Sequence, residues 1–140
     1  LRDKEACLMM LHNLDKENKY ILADLVETRI EMKEYERALV LLKRLLSSDS
    51  QNIALLKRQA YVYKMLEDKE NQAKIFRVIA SIYAQQDNLV YRNIFYHKIL
   101  KLFPNDVEAL SVLKMDNQLR ENISTKIENT DSKIKMADLE

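Results

Sequence analysis

Lys57, Tyr61 and Lys64 follow one another at spacings of four and three residues, and Arg92 and Tyr96 at a spacing of four. On an α-helix those spacings bring side chains onto one face. Cations interleaved with tyrosines suit an acidic peptide that carries aromatic residues. Lys and Arg draw in carboxylates, and Tyr offers rigid amphipathic contact area. The same residues also read as solvated charges and core tyrosines, and both readings stand at this level. Catalytic combinations are poorer. His12 and His97 lie far apart on different segments, and neither has a Cys or carboxylate at a metal-ligand spacing. The chain contains no Gly, so it has no phosphate-cradling loop of either common type. Glu27 and Glu31 stand at helical spacing as ordinary solvated acids. Nothing gathers a nucleophile, a base and an oxyanion donor. The expectation is a non-catalytic chain with no metal and no cofactor.

The elements that must position these residues are helices. A β-rich chain of 140 residues needs tight turns with positive φ, usually supplied by Gly, and this one has no Gly and one Pro. Apolar residues recurring every 3.6 positions predict seven helices, over about 3–14, 19–32, 35–47, 53–66, 70–85, 89–102 and from 106 onward. Asn18 is an expected N-cap. Residues 47–52 read as a loop, because most of their side chains compete for backbone hydrogen bonds. Pro104 ends the sixth helix, since it disfavours helical geometry at Phe103. The single cysteine, Cys7, lies in the apolar run 6–11 and reads as a small buried hydrophobe. Beyond Met115 the apolar residues Leu119, Ile123, Ile127, Ile134 and Ala137 keep helical spacing with Thr130. Asn129–Ser132 has poor helix propensity, so the expected helix reaches about Ile127 and leaves a frayed or separately helical tail.

A net charge of +1 conceals a gradient. Residues 1–52 carry net −1, residues 53–103 net +5 and residues 104–140 net −3. The basic middle is a local field for an acidic partner rather than the overall charge of a nucleic-acid binder. Its five tyrosines keep single-stranded nucleic acid as a disfavoured alternative. The stripe from Leu119 to Ile134 raises a second alternative, self-association through the C-terminal helices. No apolar run approaches the roughly 20 residues of a membrane span. With one cysteine and no visible signal peptide, a cytoplasmic setting is expected. The start at Leu1 reads as a fragment without its native N-terminus.

A repeat organises the helices. Leu22 and Val26 recur 34 residues later as Leu56 and Ala60, and Leu42 recurs as Phe76. Gln59 is the misfit opposite Leu25, and Ala38 is answered one residue late by Ala73. Two helices per 34 residues resembles the tetratricopeptide repeat, over roughly residues 19–120. The resemblance implies an all-α, right-handed superhelical solenoid of antiparallel helix pairs, about three repeats, that binds other proteins. Residues 1–18 are then an N-terminal helix packing on the first repeat, and 121–140 a capping extension or tail. Two registers compete. One starts at Lys19 and is preferred because it keeps the 34-residue spacing. The other starts at Ala73, through Phe76, Ile79, Ala80, Tyr83 and Tyr96 to Pro104, and is one helix out of phase. Val26, Arg29 and Ser50 depart from the family pattern. In such proteins the first helix of each pair lines the concave face, which makes Lys57, Tyr61, Lys64, Arg92 and Tyr96 the expected partner-binding residues. The first unit places Ala23 and Glu27 where some members hold a chaperone carboxylate with Lys and Asn, so that clamp is not expected.

Overall fold

The computed structural model describes residues 1–15 and 18–139, with side chains described through Ile134. Seven helices follow in order: α1 Arg2–Leu14, α2 Lys19–Glu31, α3 Tyr35–Ser48, α4 Ile53–Met65, α5 Lys69–Gln85, α6 Leu89–Leu102 and α7 Val107–Leu139. Each packs chiefly on its neighbours in sequence. The core is accordingly a string of local clusters rather than one centre. One cluster joins α2, α3 and α4 through Leu22, Val26, Leu42, Leu45 and Val62. The other joins α4 to α7 through Leu56, Phe76, Ile79, Phe95, Ile99 and Ala109. The 34-residue partners share burial: Leu22 with Leu56, Val26 with Ala60, and Leu42 with Phe76 are all in the core. Gln59 is buried in the place that Leu25 holds one period earlier.

The connections fall into two geometric kinds. After α2, α4 and α5 the chain turns through a residue with positive φ, at Lys33 (59°), Glu67 (58°) and Asp87 (55°). All three turns carry the same bond from the third residue past the helix back five positions: Glu34 N–H to Arg29 C=O, Asp68 to Tyr63 and Asn88 to Tyr83, at 2.8 to 2.9 Å. This left-handed C-terminal cap satisfies the last carbonyls of the helix. After α3 and α6 the chain leaves through an extended residue instead, Asp49 (φ −147°) and Phe103 (φ −134°). Asp15, after α1, is extended in the same way (φ −140°).

Strict alternation of helix pairs would place an extended connection after α5 and a left-handed turn after α6. The order is reversed, so α5 is the second helix of one pair and the first of the next. It is also the longest of α1 to α6, with 17 residues, and it packs most extensively on α6. The two registers read from the sequence therefore both operate. The Lys19 register describes α2–α3 and α4–α5, the Ala73 register describes α5–α6, and the pairing of α6 with α7 expected from the first gives way.

A left-handed residue with a Cβ is strained by about 1 kcal/mol or more, and Gly relieves this while raising the entropy of the unfolded chain, which offsets part of the gain. Glu67→Gly is expected to raise stability by up to about 1 kcal/mol, read by urea denaturation, whereas Glu67→Val should lower it.

Two expectations need correcting. Cys7 is exposed, not buried. α1 packs chiefly on α2, and among its residues only Leu8 is buried. The poor helix formers at 129–132 do not end α7, which runs unbroken to Leu139. Thr130 accommodates itself by donating its hydroxyl to the Lys126 carbonyl at 2.8 Å.

Candidate functional site

Lys57, Tyr61 and Lys64 are exposed together on one face of α4. Asn52 fixes the start of that helix, its side chain accepting from Leu55 N–H at 3.2 Å. The neighbouring residues Leu56, Ala60 and Tyr63 point into the core, so the cation–tyrosine face must turn outward. Opposite it stand Tyr91, Ile94, Phe95 and Lys98 of α6, with Gln72 and Phe76 of α5 also lining the space. The result is a groove of about 390 Å³. Asn88 starts α6 in the same manner, accepting from Tyr91 N–H at 3.3 Å.

The groove is cationic and aromatic. Lys57, Lys64 and Lys98 line it, and no lining residue is acidic. None of the three forms an ion pair among the described residues. Lys57 Nζ lies 5.8 Å from the Phe95 ring centre, and Lys98 Nζ lies 5.5 Å from the same ring and 5.8 Å from that of Phe76. These distances are within cation–π range. Tyr83 stacks on both Tyr91 and Phe95, with ring centres 5.3 and 5.9 Å apart. Phe76 packs against Phe95 at 5.8 Å. The aromatic wall is thus held from behind, while half of Tyr91 and two fifths of Tyr61 remain open to solvent.

Arg92 and Tyr96 are not part of this groove. They lie on the side of α6 that meets α7. Arg92 donates to Asn93 Oδ1 at 2.9 Å and stands 3.6 Å from Asp116. Asn93 in turn donates to Asp116 at 2.6 Å. Tyr96 is 8% exposed and donates its hydroxyl to Glu108 at 3.3 Å. Burial, followed by the Glu108 charge, pushes its phenol above the usual range. Both residues are committed to fastening α7.

The residues that take their place had a signal in the sequence. Tyr91, Phe95 and Lys98 stand one 34-residue period after Lys57, Tyr61 and Lys64. Translating the face rather than searching for its chemistry finds all three. The same translation backwards gives Ala23, Glu27 and Ile30 on α2. Glu27 pairs there with Arg58 of α4 at 2.8 Å, so the cationic face stops at α4.

The rest of the molecule offers weaker candidates. A larger hollow of about 530 Å³ lies between α5 and the α6–α7 connection, lined by Ala73, Lys74, Arg77 and Pro104 among others. Its main cation is already spent, because Arg77 donates to Asp106 at 3.0 Å and to Glu108 at 3.1 Å. Arg29 occupies the position of Tyr63 one period earlier. It is 8% exposed and bridges Glu5 of α1 to Glu34. This ties α1 to the first pair, as a structural rather than a binding role. His12 and His97 sit on α1 and α6, and no metal-ligand cluster occurs among the described residues. No helix among them is long and apolar enough to cross a membrane.

Three carboxylates carry a pH dependence. A hydrogen bond from Arg77 holds Asp106 below its ordinary pKa, bonds from Asn71 do so for Asp68, and a bond from Arg29 does so for Glu34. A lowered folded pKa means that the unfolded chain binds more protons in acid. The stabilisation is complete above the unfolded carboxylate values near 4 and is lost as pH falls through the lower folded values. The Tm should therefore be level from neutral to about pH 5 and fall below about pH 4. Asp106→Asn should lower the neutral Tm and make the acid decline shallower.

No family model and no curated protein matches the sequence. Solved structures do. A tetratricopeptide repeat protein from Parabacteroides merdae superposes with a TM-score of 0.51 at 19% identity, covering 84% of this chain. This chain spans about half, 53%, of that protein's length. MamA superposes with a TM-score of 0.50 at 13% identity, covering 75% of this chain and 70% of its own. The chain has the tetratricopeptide-repeat fold.

Proposed function

We propose that this tetratricopeptide-repeat fold serves as a non-catalytic scaffold that holds an extended, acidic, aromatic-containing segment of another protein in the α4–α5–α6 groove. One observation carries the reading: three lysines without carboxylate partners surround an aromatic wall that is partly open. Carboxylates of a bound segment would meet Lys57, Lys64 and Lys98, and an aromatic side chain would rest against Tyr61 and Tyr91. The groove lies between the first helix of the α4–α5 pair and the neighbouring α6, and it exists because α5 serves both. The corresponding surface of α2 is neutral to acidic, which confines the site to the middle of the chain.

The test is fluorescence anisotropy with a labelled peptide of alternating Glu and Phe, beside its Gln-for-Glu counterpart and a single-stranded oligonucleotide. Saturable binding of the acidic peptide, with at least tenfold weaker binding of the other two, is expected. Equal binding of the Gln peptide would remove the electrostatic reading. Preference for the oligonucleotide would transfer the groove to nucleic acid.

A further inference from the structure

Contact of α7 with α6 extends to Asp116, which meets Asn93 and Arg92 near the start of α6. α7 has 33 residues, against 13 to 17 in the other six helices. The part beyond Asp116 overhangs the helix stack by about 35 Å at 1.5 Å per residue. Every residue from 117 to 134 is exposed. Within it Ile123, Ile127 and Ile134 are each more than half exposed. The preceding helix α6, of ordinary solenoid length, does not reach them. A lone overhang with Asn129–Ser132 at its centre is also a poor helix on propensity alone.

We infer that the overhang of α7 pairs in parallel with the same segment of a second copy of this chain. From Ile123 the apolar spacing becomes four, three, four, through Ile127 and Thr130 to Ile134. This is the alternation of a heptad seam, with Ile127 and Ile134 at its a positions and Ile123 and Thr130 at d. The flanks agree. Lys126 falls at g and Asp131 at e, five residues apart. In a parallel pair each Lys126 faces Asp131 of the partner subunit, twice by symmetry. An antiparallel pair would set g against g, and both g residues here, Lys126 and Lys133, are lysines. The pairing is independent of the α4–α6 groove and would present two grooves on one particle.

Cysteine crosslinking on the full 140-residue chain, with Cys7→Ser as background, tests the geometry. Ile127→Cys and Ile134→Cys should each give an oxidised dimer, and Glu128→Cys, on the outer face, should not. Crosslinking at 127 but not at 134 would mark an antiparallel pair and overturn the inference. Sedimentation equilibrium supplies the second readout. Lys126→Asp should weaken the dimer about tenfold, and adding Asp131→Lys should restore it. A monomer at every concentration reached would overturn it as well.

Discussion

The triple variant Lys57→Glu, Lys64→Glu, Lys98→Glu is expected to bind an acidic, aromatic-containing peptide about a hundredfold more weakly, roughly 3 kcal/mol at about 1 kcal/mol per reversed charge. All three side chains are exposed and form no ion pair among the described residues, so their replacement costs inside the molecule only the contacts of Lys57 and Lys98 with the Phe95 and Phe76 rings. The fold should survive, with a Tm within a few degrees of the parent. Raising salt should weaken the parent complex as well, because the screening length shrinks from about 10 Å at 0.1 M to about 3 Å at 1 M. Arg92→Ala and Tyr96→Phe provide the contrast. Both residues fasten α7 to α6 through Asp116 and Glu108, so both variants should bind the peptide within about twofold of the parent. Equal losses in all these variants would mean that binding follows general charge rather than the groove.

The second large effect is expected in the core of α5. Ile79 is fully buried in the cluster that joins α4, α5, α6 and α7. Ile79→Ala removes three carbons from a site that cannot easily collapse, at a cost of about 3 kcal/mol. For a chain of this size that corresponds to a fall in Tm of roughly 10 °C. Val78, its neighbour, is 42% exposed, and Val78→Ala should change stability by less than about 0.5 kcal/mol. The loss at Ile79 should also abolish peptide binding near the lowered Tm, since both walls of the groove are mounted on α5. Thermal melts by circular dichroism, with and without peptide, check both statements. A drop in Tm below about 3 °C would contradict the account of α5 as a shared helix.

Much of this was legible in the residues. Zero Gly and the 3.6-residue periodicity point to seven helices, and the spacing from Leu22 to Leu56 and from Leu42 to Phe76 sets the repeat length. Repeat phase was less accessible. Each register assumed a single unbroken period, whereas α5 ends and begins with left-handed turns at Asp87 and Glu67. Asp and Glu at those positions do not announce such turns as Gly does. Of the expected residues, Arg92 and Tyr96 fall one position past those that line the groove on α6, for a related reason. Arg92 and Tyr96 preserve the chemistry of the cation–tyrosine face, while Tyr91, Phe95 and Lys98 preserve its geometry. Packing obeys the period, and side-chain type drifts along it. Cys7 looked buried because an apolar run at a chain end reads like any other. Burial also requires a packed neighbour on that face, and on α1 only Leu8 is buried.

NMR chemical-shift mapping with the acidic, aromatic-containing peptide tests the central claim most directly. The groove reading predicts that the largest shifts fall on Tyr61, Lys64, Tyr91, Phe95 and Lys98, with Arg92, Tyr96 and Asp116 nearly unmoved. Shifts centred on the α6–α7 face, or spread over the basic surface without focus on those five residues, would contradict it.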